Sequence, residues 1–122
     1  MTSRLALRSF SALIVLVVSA CSEIPPPHAR GDADNGRLLL RQFGCGACHR
    51  ISGVATAEGT IGPPLDGVAR RVYLAGRLPN SPENMVRWIR SPQSIDPHTT
   101  MPDLQVTQAH ARDMTAYLYT LR

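Results

Sequence analysis

Cys45-Gly46-Ala47-Cys48-His49 constrains this chain more than any other stretch, because two thiols three positions apart with an imidazole directly after them have few uses. C-x-x-C-H is the spacing at which both sulfurs add across the two vinyl groups of one porphyrin while the histidine presents a nitrogen to its iron. One pentapeptide then supplies covalent anchorage and one axial ligand. Two competitors share part of the pattern. A structural zinc site needs four ligands, and beyond Cys45, Cys48 and His49 only His98 or His110 is at hand, with no second paired motif. A thioredoxin-like dithiol belongs beside a βαβ pattern, which this sequence lacks. An N-terminal export signal, the adjacent histidine and a helical chain favour haem attachment.

The amount of chain left to fold points the same way. At 122 residues there is room for one domain. Arg4 and Arg8 precede an apolar run from Phe10 to Val18 that is too short to span a bilayer comfortably, and Ser19-Ala20 are small, so residues 1–20 read as a signal peptide. Val18-Ser19-Ala20-Cys21 resembles the lipobox of bacterial lipoprotein precursors. That resemblance implies lipidation at Cys21 and a mature chain anchored to a membrane in the bacterial periplasm. It also accounts for the odd cysteine count: of three cysteines, two go to haem, one to lipid and none to a disulfide. Residues 21–33 read as a lipidated tether stiffened by Pro25-Pro26-Pro27, and residues 34–122 as the folded domain. A domain this small is short of apolar core and usually relies on a disulfide, a metal or a cofactor.

The formal net charge of +4 falls to about +2 once Arg4 and Arg8 leave with the signal, and the chain has no lysine. A nucleic-acid binder presents a dense basic face, often with aromatics to stack on. Neither feature is present, so nucleic acid is not an expected partner.

Helical spacing appears three times. Asp34 is placed to cap a first helix in which Gly36, Leu39, Leu40 and Phe43 share one face and Gly44 ends it. Glycine inside a helix costs roughly 0.5–1 kcal/mol against alanine, so Gly36 suggests that another backbone comes close. Ser81 and Pro82 open a second helix carrying Met85, Trp88 and Ile89, closed by Ser91-Pro92. Thr107 caps a third, with Met114, Tyr117, Leu118 and Leu121 in register. Residues 51–64 and 92–106 read as loops, and no stretch alternates as a strand. The expected fold class is all-α, three main helices with long loops wrapped around one covalently attached haem. Loops of that length count against an assignment unless they pack on something, and a porphyrin is that something.

The second axial ligand is expected far along the chain, on a loop able to fold over the other porphyrin face. Met101, in Thr99-Thr100-Met101-Pro102-Asp103-Leu104, fits best; His98 is the competitor, and an open position is the third case. Met85 and Met114 sit on helical apolar faces and read as packing residues. His/Met ligation raises the reduction potential and closes both coordination positions, which suits one electron in and one out.

Together these residues resemble the small class I cytochromes c over residues 34–122. The marks are the Gly36 helix, the C-x-x-C-H motif, Gly62-Pro63-Pro64-Leu65-Asp66-Gly67, the Met101 loop and a last helix with Tyr117-Leu118. The resemblance implies that the Pro63 carbonyl accepts a hydrogen bond from His49 and that Leu65 packs on the porphyrin. It implies that Arg71, Tyr73 and Trp88 reach the propionates, and that the first and last helices cross with Gly36 against Tyr117. The metal ligands would be His49 and Met101. More narrowly, the run from Gly62 through Arg77-Leu78-Pro79-Asn80 and Trp88-Ile89-Arg90 to Met101-Pro102-Asp103 is similar to cytochrome c domains associated with bacterial terminal oxidases, some of them fused behind a copper subunit. The implied protein is a free-standing, lipid-tethered relative. It would be a respiratory electron carrier and not an enzyme, serving a membrane-bound terminal oxidase or quinol–cytochrome c reductase. Arg50, Arg70 and Arg77 are candidates to ring an exposed haem edge and steer an acidic partner. The alternatives are a haem enzyme or sensor in which Met101 is labile and a small molecule binds, and an accessory subunit that only holds a larger complex together.

Overall fold

The computed structural model describes residues 31–122. The expected signal peptide, Cys21 and nearly all of the tether lie outside the described residues. The folded part begins with α1 (Ala33–Gln42), whose cap is Asp32 and not Asp34: the Asp32 side chain accepts the Asn35 N–H at 3.1 Å. Asp34 sits in the first turn, where its charge complements the helix dipole. The other long helices are α2 (Pro82–Arg90) and α4 (Gln108–Leu118), capped by Ser81 and Thr107 as their sequences indicate, with side-chain oxygens accepting from Asn84 and His110 N–H at 3.2 Å each. Leu121 lies beyond the end of α4 and packs against the core from the C-terminal tail.

Two elements were not expected. A short α3 (Pro92–Ile95) follows α2 after a break at Ser91, because Pro92 cannot continue α2 but is well suited to the first position of a new helix. A hairpin pairs β1 (Tyr73–Leu74) with β2 (Leu78–Pro79), antiparallel. Strands of two residues leave no alternation to read in a sequence. The fold remains all-α: α1, α2 and α4 enclose a core that includes Leu39, Leu40, Met85, Ile89, Met114 and Leu118. Among the described residues no helix is long and apolar enough to cross a membrane.

Packing of α1 on α4 is the backbone of the arrangement. Gly36 is buried there, and a Cβ at that position would overlap the Asp113 carbonyl. The crossing thus falls at Asp113 and Met114, one helical turn before the expected Tyr117. The Asp113 carboxylate fixes it, accepting the Asp32 N–H and the Asn35 side-chain amide at 2.8 Å each. Tyr117 instead donates its hydroxyl to the Ser52 carbonyl at 2.7 Å and so holds the loop after the haem motif. Because the obstacle at Gly36 is backbone, it cannot swing aside. Gly36→Val should cost more than about 3 kcal/mol, beyond the usual overpacking range of 1–3. In a domain of this size that lowers the melting temperature by on the order of 15 °C. A variant melting within a few degrees of the parent in circular dichroism would mean that the two helices do not meet there.

Candidate haem site

A cavity of about 300 Å³ opens between the helices and the long loops. Cys45, Cys48 and His49 line it together with Pro63, Leu65, Arg71, Trp88 and Met101. Its floor is the apolar core itself: Leu40, Met85, Met114 and Leu118 belong to both. Met85 and Met114 are therefore packing residues whose side chains also border the site.

The motif is compact. After α1, Cys45–Ala47 forms a 3-10 turn, and the His49 N–H returns to the Cys45 carbonyl at 3.0 Å, which keeps both sulfurs and the imidazole on one turn of chain. The two cysteines are not joined to each other. Burial pushes the Cys45 thiol up, offset only in part by a backbone hydrogen bond, and the neighbouring Cys48 raises it further. The thiol is therefore held protonated.

His49 is aimed by the chain segment that faces it. Its Nδ1 lies 2.7 Å from the Pro63 carbonyl oxygen. A carbonyl only accepts, so Nδ1 carries the proton and Nε2 keeps a lone pair for a metal. Just before it, Gly62 donates its N–H to the Cys48 carbonyl at 2.8 Å, and any Cβ at Gly62 would collide with the imidazole. The glycine and the proline thus do separate jobs, close packing and hydrogen bonding, on the same ring.

Met101 comes to the cavity on a loop held at both ends of its peptide unit. Its N–H donates to Thr99 Oγ1 at 3.2 Å, and its carbonyl accepts from Gln93 Nε2 at 2.7 Å. Gln93 belongs to α3, so the unexpected helix serves to brace this loop. His98, two residues after Asp96, is exposed, donates its N–H to that aspartate at 3.1 Å, and does not line the cavity.

Arg71 donates to the Pro64 carbonyl and borders the cavity, while Trp88 reaches it from α2. Tyr73 does not. Within β1 Leu74 points inward at 4% exposure, and Tyr73, on the opposite side of the strand, is 57% exposed and outside the lining. The rim is apolar where Ile61 (78% exposed) and Leu104 (37%) border the cavity. Of the three candidate steering arginines none lines it, and two have partners of their own: Arg50 with Asp66 at 3.0 Å and Arg77 with Asp96 at 3.4 Å. Such exposed pairs are weak, so they restrain the side chains only loosely.

Asp66 also accepts the Ser52 N–H at 2.9 Å, which staples the Pro63 segment to the chain after His49. Hydrogen bonds from Ser52, then the Arg50 guanidinium, hold its carboxyl below the usual carboxylate range. A lowered folded value means that the stabilisation is present above the unfolded value near 3.8 and is lost as pH falls through the folded one. Asp66→Asn should therefore melt lower than the parent by a constant margin at neutral pH, and the margin should close in melts taken below about pH 4.

This donor set suits haem. Among the described residues no group of three or more His, Cys, Asp or Glu stands close enough to hold a bare metal ion. A haem would bring the remaining iron-coordinating nitrogens itself, and the largely apolar lining beside Cys45, Cys48 and His49 suits such a ring. Residues 33–122 match the family model described as Cytochrome c. The chain belongs to the cytochrome c family. It is a class I c-type cytochrome and an electron carrier, and Cys45 and Cys48 hold one covalent haem c. This cytochrome c is similar to cytochrome c oxidase subunit 2 of Alkalihalophilus pseudofirmus, 33% identical over 91 residues that make up 74% of the chain and 26% of that protein. It is also similar to cytochrome c-552 of Bradyrhizobium diazoefficiens, 30% identical over 110 residues, 89% of the chain and 92% of the relative. The chain thus spans about a quarter of the first protein and nearly all of the second.

Bound haem supplies a one-electron change between ferric and ferrous iron. The chain's own part is to hold His49 in the metal-binding tautomer, keep water from the apolar walls and place the Arg71 cation at the border of the site.

Proposed function

We propose that this cytochrome c passes single electrons along a respiratory chain with His49 and Met101 as its axial ligands. It works in the bacterial periplasm, tethered by lipid at Cys21, and delivers to a membrane-bound oxidase or reductase. The observation that carries the reading is Met101 itself: among the candidates for the sixth position it borders the cavity, on a peptide unit fixed by Thr99 and Gln93, whereas His98 stands outside. A site closed by two protein ligands suits electron transfer and not substrate binding. Among the described residues that line the cavity, His49 is the one imidazole and none is a carboxylate, a lining that suits a carrier. Likeness to an oxidase subunit supports a terminal oxidase as the acceptor. A lipid tether would raise the effective concentration of the carrier near such a partner.

The test is spectroscopic. The ferric protein should show a methionine–iron charge-transfer band, and the ferrous protein should not take up carbon monoxide at neutral pH. Ready carbonyl binding would favour the sensor or enzyme reading instead.

A further inference from the structure

Asn80 is a polar residue outside the cavity whose every side-chain hydrogen-bonding group is engaged with a cavity wall or its brace. Its Nδ2 donates to the Val68 carbonyl at 2.9 Å and to the Arg71 carbonyl at 2.8 Å, while its backbone N–H donates to the Val72 carbonyl at 2.9 Å. Its Oδ1 accepts the Tyr119 hydroxyl at 2.5 Å. The amide can face only one way, since turning it over would set an oxygen against two carbonyl oxygens. Three of the residues in the segment so gathered, Val68, Arg71 and Leu74, border the cavity. From Arg71 the connection continues through its guanidinium to the Pro64 carbonyl, next to the Pro63 carbonyl that orients His49.

We propose that Asn80, locked by Tyr119, is a positioning residue for electron transfer: it fixes the wall that carries Arg71 and thereby raises the reduction potential. Two consequences of loosening that wall act in the same direction. Water entering beside the porphyrin and a retreating guanidinium both favour the extra positive charge of the ferric state. Tyr119 is suited to its part because burial and the charge of Glu83 push its hydroxyl up to about 12, so it stays protonated and donating at any physiological pH.

The proposal rests on the chain being an electron carrier and not on which residue fills the sixth position, so it can fail or succeed apart from the Met101 assignment. The test compares midpoint potentials of the haem-loaded parent, Asn80→Ala, Asn80→Asp and Tyr119→Phe between pH 5 and 9, with melting temperatures alongside. Asn80→Ala should shift the equilibrium about tenfold toward ferric, a lowering of ~59 mV for one electron. Tyr119→Phe, which keeps both Nδ2 bonds but removes the donor that anchors Oδ1, should shift it about threefold. Asn80→Asp is the decisive variant, because a protonated acid still donates to one carbonyl, whereas the carboxylate donates to none and repels both. Its potential should fall as pH rises, by more than any slope the parent shows. If the variants melt lower while all potentials stay within twofold of the parent and Asn80→Asp follows the parent's pH profile, Asn80 is a purely structural residue and the proposal is wrong. Should Asn80→Ala not accumulate, Tyr119→Phe and Asn80→Asp decide alone.

Discussion

With both motif cysteines replaced by alanine and no haem supplied, the chain is expected not to fold. The cavity measures about 300 Å³ and shares Leu40, Met85, Met114 and Leu118 with the core, so leaving it unfilled is equivalent to a very large core truncation. At about 24 cal/mol per Å³, that volume corresponds to on the order of 7 kcal/mol, somewhat less where the walls collapse or water enters. Small domains are stable by only about 5–15 kcal/mol, and one of this length belongs near the low end. Cys45→Ala/Cys48→Ala purified without haem should therefore lack a cooperative thermal transition and most of the native helical circular dichroism. Either single substitution leaves one thioether and should retain a folded, less stable holoprotein. An apoprotein that melts cooperatively near the holoprotein's temperature would show that α1, α2 and α4 close on each other without the porphyrin.

The same dependence explains how much of this fold and site is legible in the sequence. The haem motif was legible because covalent attachment demands a fixed spacing, and α2 and α4 because Ser81-Pro82 and Thr107 are caps with a mechanism of their own. Where the physics lies between distant residues, local pattern is silent. Asp32 and Asp34 are equally good caps on paper, and the choice is made by Asp113, which binds the Asp32 N–H from the far end of the chain. That same carboxylate moves the helix crossing away from Tyr117. Tyr73 looked like a propionate ligand, but the register of a two-residue hairpin turns Leu74 inward and leaves it exposed. Gln93 and Asn80 would pass for surface polar residues in any composition window. Their importance lies in carbonyls of other segments, Met101 for one and Val68 and Arg71 for the other. A Pro-initiated turn at Pro92 was the one available signal for the first, and the run Pro79-Asn80-Ser81-Pro82, which reads as a turn, the weaker one for the second.

Met101→Ala should leave the fold in place and change the redox chemistry. The loop does not depend on the thioether for its shape: Thr99 Oγ1 and Gln93 hold the peptide unit of residue 101 through backbone atoms, which alanine retains. On the proposed ligation, what disappears is a soft ligand that favours ferrous iron. The equilibrium should shift toward ferric by more than about a hundredfold, a fall of ~120 mV or more at 59 mV per tenfold. The charge-transfer band should vanish, and carbon monoxide should bind the ferrous variant readily where the parent is expected to exclude it. His98→Ala serves as the control, because that side chain is exposed and away from the cavity, and its potential and spectrum should match the parent. Were Met101→Ala to keep the parent's potential and continue to refuse carbon monoxide while His98→Ala lost both properties, the sixth ligand would be the histidine. The loop would then have to rearrange on loading, breaking the Gln93 brace, and Gln93→Ala would favour that rearrangement instead of opposing it.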